Sequence, residues 1–163
     1  MPATQARSHR NTVPTWKILA ERGQYREAYD SLRAESQTPV RDEIHELLLA
    51  ADTARLSGHP TEAVPYLRRV LTRYGDDSRS HLAAFTLGRV LLDELGQPAE
   101  AAAAFERALA PHAPLAEDAL ARAVEAWARA GRAPRAHALA LEYQRRYPQG
   151  RRMRTVVKFG GIE

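Results

Sequence analysis

The chain has 163 residues, 44% apolar and 27% charged, with a formal net charge of +4 and no cysteine. This composition suits one folded domain and excludes disulfides and thiolate chemistry, but it decides no compartment, because a cysteine-free protein tolerates either redox environment. The longest apolar runs fall far short of the roughly 18 residues a spanning helix needs, and the start, MPATQARSHRNTVP, lacks an apolar signal core. Two expectations stay open. A domain excised from a longer chain would have had its membrane segment or export signal upstream, and a full-length chain would be cytoplasmic.

Taken in order, residues 1–13 are polar, lack periodicity and read as a flexible leader. A short helix is predicted from Thr15 to about Arg22, stopped by Gly23. Its partner runs from Tyr25 to Glu35, with Tyr25, Ala28, Tyr29 and Leu32 on one stripe. Ser36 to Pro39 is a break. Val40 to Ser57 reads as a long helix ended by Gly58, and Thr61 is the expected cap of a helix reaching Tyr74. After a turn at Gly75-Asp76-Asp77, Ser78 or Ser80 is expected to cap a helix to Leu95. Gly96 then precedes Pro98, which opens a helix to Ala110. Beyond a break at Pro111 to Pro114, helices are predicted over Leu115–Ala130 and Pro134–Tyr147, before Pro148-Gln149-Gly150. The tail, residues 151–163, carries the β-prone run Thr155-Val156-Val157, expected to be extended or to drape over the last helices.

The organising signal is a repeat. Gly23, Gly58, Gly96 and Gly131 recur at intervals of 35, 38 and 35 residues. Five residues after each come Ala28, Ala63, Ala101 and Ala136, and nine after each come Leu32, Leu67, Phe105 and Ala140. A glycine permits a tight reversal between antiparallel helices, an alanine permits their close crossing, and a larger side chain one turn on fills the widening gap. A generic bundle with glycine-capped helices has no reason to repeat the alanine offset. The expectation is an all-α solenoid of about four antiparallel helix pairs over residues 14–150, each pair completing its core against the next.

These residues resemble the tetratricopeptide repeat (TPR). The third unit carries the pattern most fully, with Leu87-Gly88, Gly96, Ala101, Phe105, Ala108 and Pro111. The last has Gly131, Ala136, Tyr143 and Pro148, the second Gly58, Ala63, Leu67 and Val70, and the first Gly23, Tyr25, Ala28 and Leu32. Gly88 departs from the pattern by standing eight residues before Gly96, where the family has seven. The resemblance, covering residues 15 to about 148, implies a right-handed superhelix that holds other proteins. WKILAERGQY, LSGHPTEAVPYLRRVL, AAFTLGRVLLDELGQPAEAAAAF and the closing RRYPQG also look like the carboxyl-terminal repeat domain of FecR-like, anti-sigma-type envelope signalling proteins of deltaproteobacteria. That likeness implies a periplasmic scaffold in signalling or in a cell-envelope complex.

In such a superhelix the first helix of each pair lines the inner side. Arg55, Arg89, Asp93, Arg122, Glu125 and Arg129 stand there as a candidate groove for a carboxylate-bearing peptide. Arg89 with Asp93, and Glu125 with Arg129, are i,i+4 pairs that could equally serve helix solvation alone. A second candidate is a basic patch. Residues 132–158 hold eight basic side chains against Glu142, and Arg145, Arg146, Arg151, Arg152 and Arg154 could meet nucleic acid or an anionic surface. No reader motif and no interleaved aromatics accompany these arginines. The six histidines form no HExxH or dense ligand cluster, and no phosphate loop or nucleophile motif is present. The sequence therefore predicts neither enzyme, cofactor nor metal. Trp16 and Trp127 read as core residues. Val156, Val157, Phe159 and Ile162 are expected to cover the open face of the last pair, leaving a monomer; the same residues could instead drive self-association.

Overall fold

The computed structural model describes residues 13–35, 40–110 and 113–163. The expected leader up to residue 12, the whole Ser36–Pro39 break, and Pro111 and His112 lie outside that set. Nine α-helices are assigned among the described residues: α1 (Thr15–Glu21), α2 (Tyr25–Ala34), α3 (Ile44–Leu56), α4 (Pro60–Arg73), α5 (Ser78–Arg89), α6 (Pro98–Arg107), α7 (Ala116–Arg129), α8 (Ala133–Arg146) and α9 (Met153–Gly160). They pair as α1/α2, α3/α4, α5/α6 and α7/α8, and each pair stacks on the next to form a right-handed solenoid.

One reversal is used four times. Gly23, Gly58, Gly96 and Gly131 have φ between 63° and 91°, a region costly for a residue with a Cβ. In three of them the amide after the glycine returns to a carbonyl five residues back, as in Gln24 to Leu19, His59 to Ala54 and Arg132 to Trp127. In the third pair Gln97 reaches six residues back, to Leu91. The additional residue is taken up by a π-helical turn, Val90–Glu94, that continues α5. This turn explains the eight-residue spacing from Gly88 to Gly96, since it lengthens the helix by one residue without moving the glycine reversal.

The four crossing alanines, Ala28, Ala63, Ala101 and Ala136, are fully buried, as are Phe105 and Ala140 four residues further on. Gly88 lies against Phe105 so closely that a Cβ would come within 2.6 Å of the ring. A continuous apolar core runs from Ile44 to Ile162, while Trp16, Ala20, Ala28 and Ala50 form a smaller cluster beneath the first pair.

Three local expectations are corrected. α3 begins at Ile44, not Val40, because Asp42 is drawn to α4: its carboxylate pairs with Arg69 and Arg73, and its carbonyl accepts the Tyr74 hydroxyl. Asp77, not Ser78 or Ser80, caps α5 by accepting the Arg79 amide at 2.9 Å, while Ser80 donates to the Gly75 carbonyl. α4 starts at Pro60, and Thr61 makes no cap because it already lies inside the helix.

The tail is helical and not extended. α9 buries Val156 and Gly160 against α7 and α8, with Ile162 following, and His137 lies 2.9 Å from the Gly160 carbonyl. Strand propensity is a weak local preference, and one apolar face docked on two helices outweighs it.

Candidate partner-binding surface

Arg122 is the centre of the charged surface. From α7 it donates to Glu125 at 2.6 Å and reaches across to Asp93 in the π-helical turn of the preceding pair. Arg129 pairs with the other Glu125 oxygen at 2.5 Å, and Arg89 approaches Asp93 at 4.0 Å. Five of the six residues singled out for the groove therefore form one chain of alternating charge: Arg89, Asp93, Arg122, Glu125 and Arg129. Arg55 stands apart, bonded to Asp52 on its own helix at 2.9 Å.

The five differ in what they can offer a ligand. Glu125 is only 5% exposed and relies on two guanidinium groups, so Arg122 and Arg129 compensate a buried carboxylate. The Arg122 guanidinium also lies 5.5 Å from the centre of the buried Phe105 ring, tying the charge chain to the core. Arg89 is the most exposed member and holds the weakest pair. An incoming carboxylate would meet Arg89 and Arg129 first, because Arg122 is already satisfied on both sides.

A further charged contact on these first helices carried no sequence signal. Lys17 on α1 reaches Glu46 on α3 at 2.5 Å. Glu46 is 4% exposed, and its second carboxylate oxygen is buried without a hydrogen-bond partner. The two residues lie 29 positions apart in the sequence, so no local pattern joins them. Asp52, the partner of Arg55, was detectable as an i,i+3 neighbour.

The basic patch is largely committed to internal partners. Arg151 and Arg152 both face Asp118, at 3.6 and 2.6 Å, and Arg146 pairs with Glu142 at 2.9 Å. The Arg151 amide donates to Glu117, which also accepts the Tyr143 hydroxyl at 2.8 Å; the Arg152 amide donates to that hydroxyl oxygen at 3.0 Å. Burial, then the bond to Glu117, pushes the Tyr143 phenol up to about 12. These bonds fasten the chain after α8 to the start of α7. Arg145 and Arg154 are exposed.

Trp16 is buried, and the half-buried Trp127 donates to Glu106 at 2.5 Å. Glu106 also binds Arg135; burial alone would raise its carboxyl, but the bonds from Arg135 and Trp127 prevail and hold it below its usual range. Among the described residues there is no group of three histidine or acidic side chains placed to hold a metal. Nor is any described helix long and apolar enough to cross a membrane.

Solved structures of similar shape identify the architecture. A Podosopora anserina protein described as a kinesin light chain with nearly identical TPR-like repeats superposes with a TM-score of 0.62. It is 15% identical, over 90% of this chain and 83% of its own. The fold is TPR-like. MamA matches this TPR-like chain with a TM-score of 0.60 and 18% identity, over 90% of this chain and 79% of that one. PilW, a type IV pilus biogenesis factor, matches at 0.56 and 23%, over 91% and 68%. No family model and no curated protein matches the sequence.

Proposed function

We propose that the chain is a non-enzymatic scaffold that holds an extended, carboxylate-bearing segment of another protein along the first helices of its pairs. The observation that carries this reading is the bridge from Arg122 to Asp93. It joins the third and fourth pairs and so sets the helices that carry Arg89 and Arg129 side by side, with Arg129 held on Glu125 and Arg89 left free to meet a ligand. Guanidinium groups recognise carboxylates by paired, charge-assisted hydrogen bonds. The FecR-like phrases in the sequence support a place in envelope signalling or a cell-envelope complex, with the domain facing the periplasm. The nucleic-acid reading of the basic patch gains no support, because Arg146, Arg151 and Arg152 are held by acids of the same chain.

Crosslinking and capture in the native host test the scaffold. Arg89→Glu is the informative variant, since replacing Arg122 or Arg129 would take a guanidinium from the buried Glu125. Capture of a partner by the wild type, reduced at least tenfold in a variant with an unchanged helical spectrum, is the expected result. Equal capture by both proteins would remove Arg89 from the binding surface.

A further inference from the structure

Neighbouring second helices are tied by a bridge that recurs in register. Arg33 on α2 pairs with Glu62 on α4 at 3.1 Å, Arg68 on α4 pairs with Glu100 on α6, and Glu106 on α6 pairs with Arg135 on α8 at 2.5 Å. In all three the first partner stands ten residues after its own turn glycine, and the second stands four residues after the next one. The position ten residues on is therefore a point at which a second helix meets its successor. Its charge can take either sign, since the last bridge is reversed, but at all three contacts it is charged.

The fourth pair departs from this register. Ten residues after Gly131 stands Leu141, 47% exposed on α8. Beside it, α9 packs on α8 as α3 packs on α2, α5 on α4 and α7 on α6, and so stands where the first helix of a fifth pair would stand. Gly160 of α9 lies against Ala140, the neighbour of Leu141, and Val157, 37% exposed, stands one turn before Gly160. Leu141 and Val157 thus border the place that a second helix takes in the preceding pairs.

The charge around these two residues has one sign. Arg145, one turn beyond Leu141, corresponds to Thr72, which lines the groove between α4 and α6. Arg154 and Lys158 share the exposed face of α9 with Val157. Arg146, Arg151 and Arg152 are held by acids, whereas the exposed Arg145, Arg154 and Lys158 have no acidic partner among the described residues.

We propose that this face, Leu141 and Val157 framed by Arg145, Arg154 and Lys158, docks an acidic amphipathic helix of another polypeptide. The helix packs there as the second helix of a fifth pair. The surface is separate from that of Arg89 and goes beyond the reading above: it takes a helix, where the first helices take an extended segment. A helix suits the place because the chain already makes the same second-helix contact three times. An apolar stripe covers Leu141 and Val157, and the three cations favour glutamate or aspartate on its flanks and oppose a basic helix.

Fluorescence anisotropy of two labelled amphipathic peptides of about four helical turns, titrated with the full chain, tests the proposal. One peptide carries glutamates on both flanks of its apolar stripe, and the other carries lysines at the same positions. The glutamate peptide should bind saturably, with a dissociation constant on the order of 10–100 μM, and the lysine peptide at least tenfold more weakly. Leu141→Asp should abolish binding. Arg154→Glu with Lys158→Glu should weaken it at least tenfold, and an unchanged helical spectrum checks the fold of both variants. Arg89→Glu should bind the peptide as the wild type does, so this face can fail while the Arg89 surface stands, and the reverse. No binding of either peptide, equal binding of the two, or persistence in Leu141→Asp overturns the proposal. Two other occupants would also overturn it, each with no peptide bound. Self-association of the wild type that Leu141→Asp abolishes assigns the face to a second copy. Sedimentation with phosphatidylserine vesicles, lost in the Arg154 and Lys158 variant, assigns it to an anionic lipid surface.

Discussion

Gly88→Ala is the sharpest probe of how the third pair is built. A Cβ at Gly88 would lie 2.6 Å from two Phe105 ring atoms and 2.8 Å from a third. Ordinary carbon contacts begin near 3.5 Å, so the ring would have to retreat by about 1 Å. It has little room, being fully buried, with Phe85 edge-on at 5.6 Å and the Arg122 guanidinium over its face. Overpacking of this kind costs about 1–3 kcal/mol, against about 0.5–1 kcal/mol recovered by replacing a helical glycine with alanine. A net loss of about 1–2 kcal/mol is expected, or roughly 2–8 °C in melting temperature for a chain of this size. Urea and thermal unfolding measure it. Phe105→Leu, destabilising in the wild type through the cavity it leaves, should be neutral or favourable in the Gly88→Ala background. A Gly88→Ala protein as stable as the wild type, or two effects that simply add, would refute the packing argument.

Three other outcomes follow from named contacts. Lys17→Met should cost about 2–3 kcal/mol by stranding the buried Glu46, and Lys17→Met with Glu46→Met should recover most of it; calorimetry of the three proteins checks this. Because the folded Tyr143 phenol is raised to about 12, its contribution is present below pH 10 and lost as pH rises from 10 to 12. Tyr143→Phe should remove that part of the alkaline loss of stability, which denaturant midpoints across this range will show. Truncation after Gly150 uncovers the apolar surface beneath Val156 and Ile162, so the truncated chain should be less heat-stable and self-associate, and the intact chain should be a monomer. Light scattering on both forms decides, and an intact dimer that truncation makes monomeric would reverse the role given to the tail.

Local chemistry along the sequence determined the repeat, because each unit needs a residue tolerant of positive φ, then a methyl-sized residue at the helix crossing, then a bulky one. Gly96, Ala101 and Phe105 report that geometry without any knowledge of the neighbouring pairs. The same locality made the Arg89–Asp93 and Glu125–Arg129 pairs visible, one helical turn apart. What required the tertiary structure depends on residues far apart in the chain. Asp42 is withdrawn from α3 by α4, Glu46 is buried against a lysine 29 residues away, and Asp118 occupies Arg151 and Arg152. The tail shows the division most clearly. Thr155, Val156 and Val157 prefer strand when taken alone, but the face that α7 and α8 leave uncovered accepts a helix, and burial outweighs the small propensity it opposes.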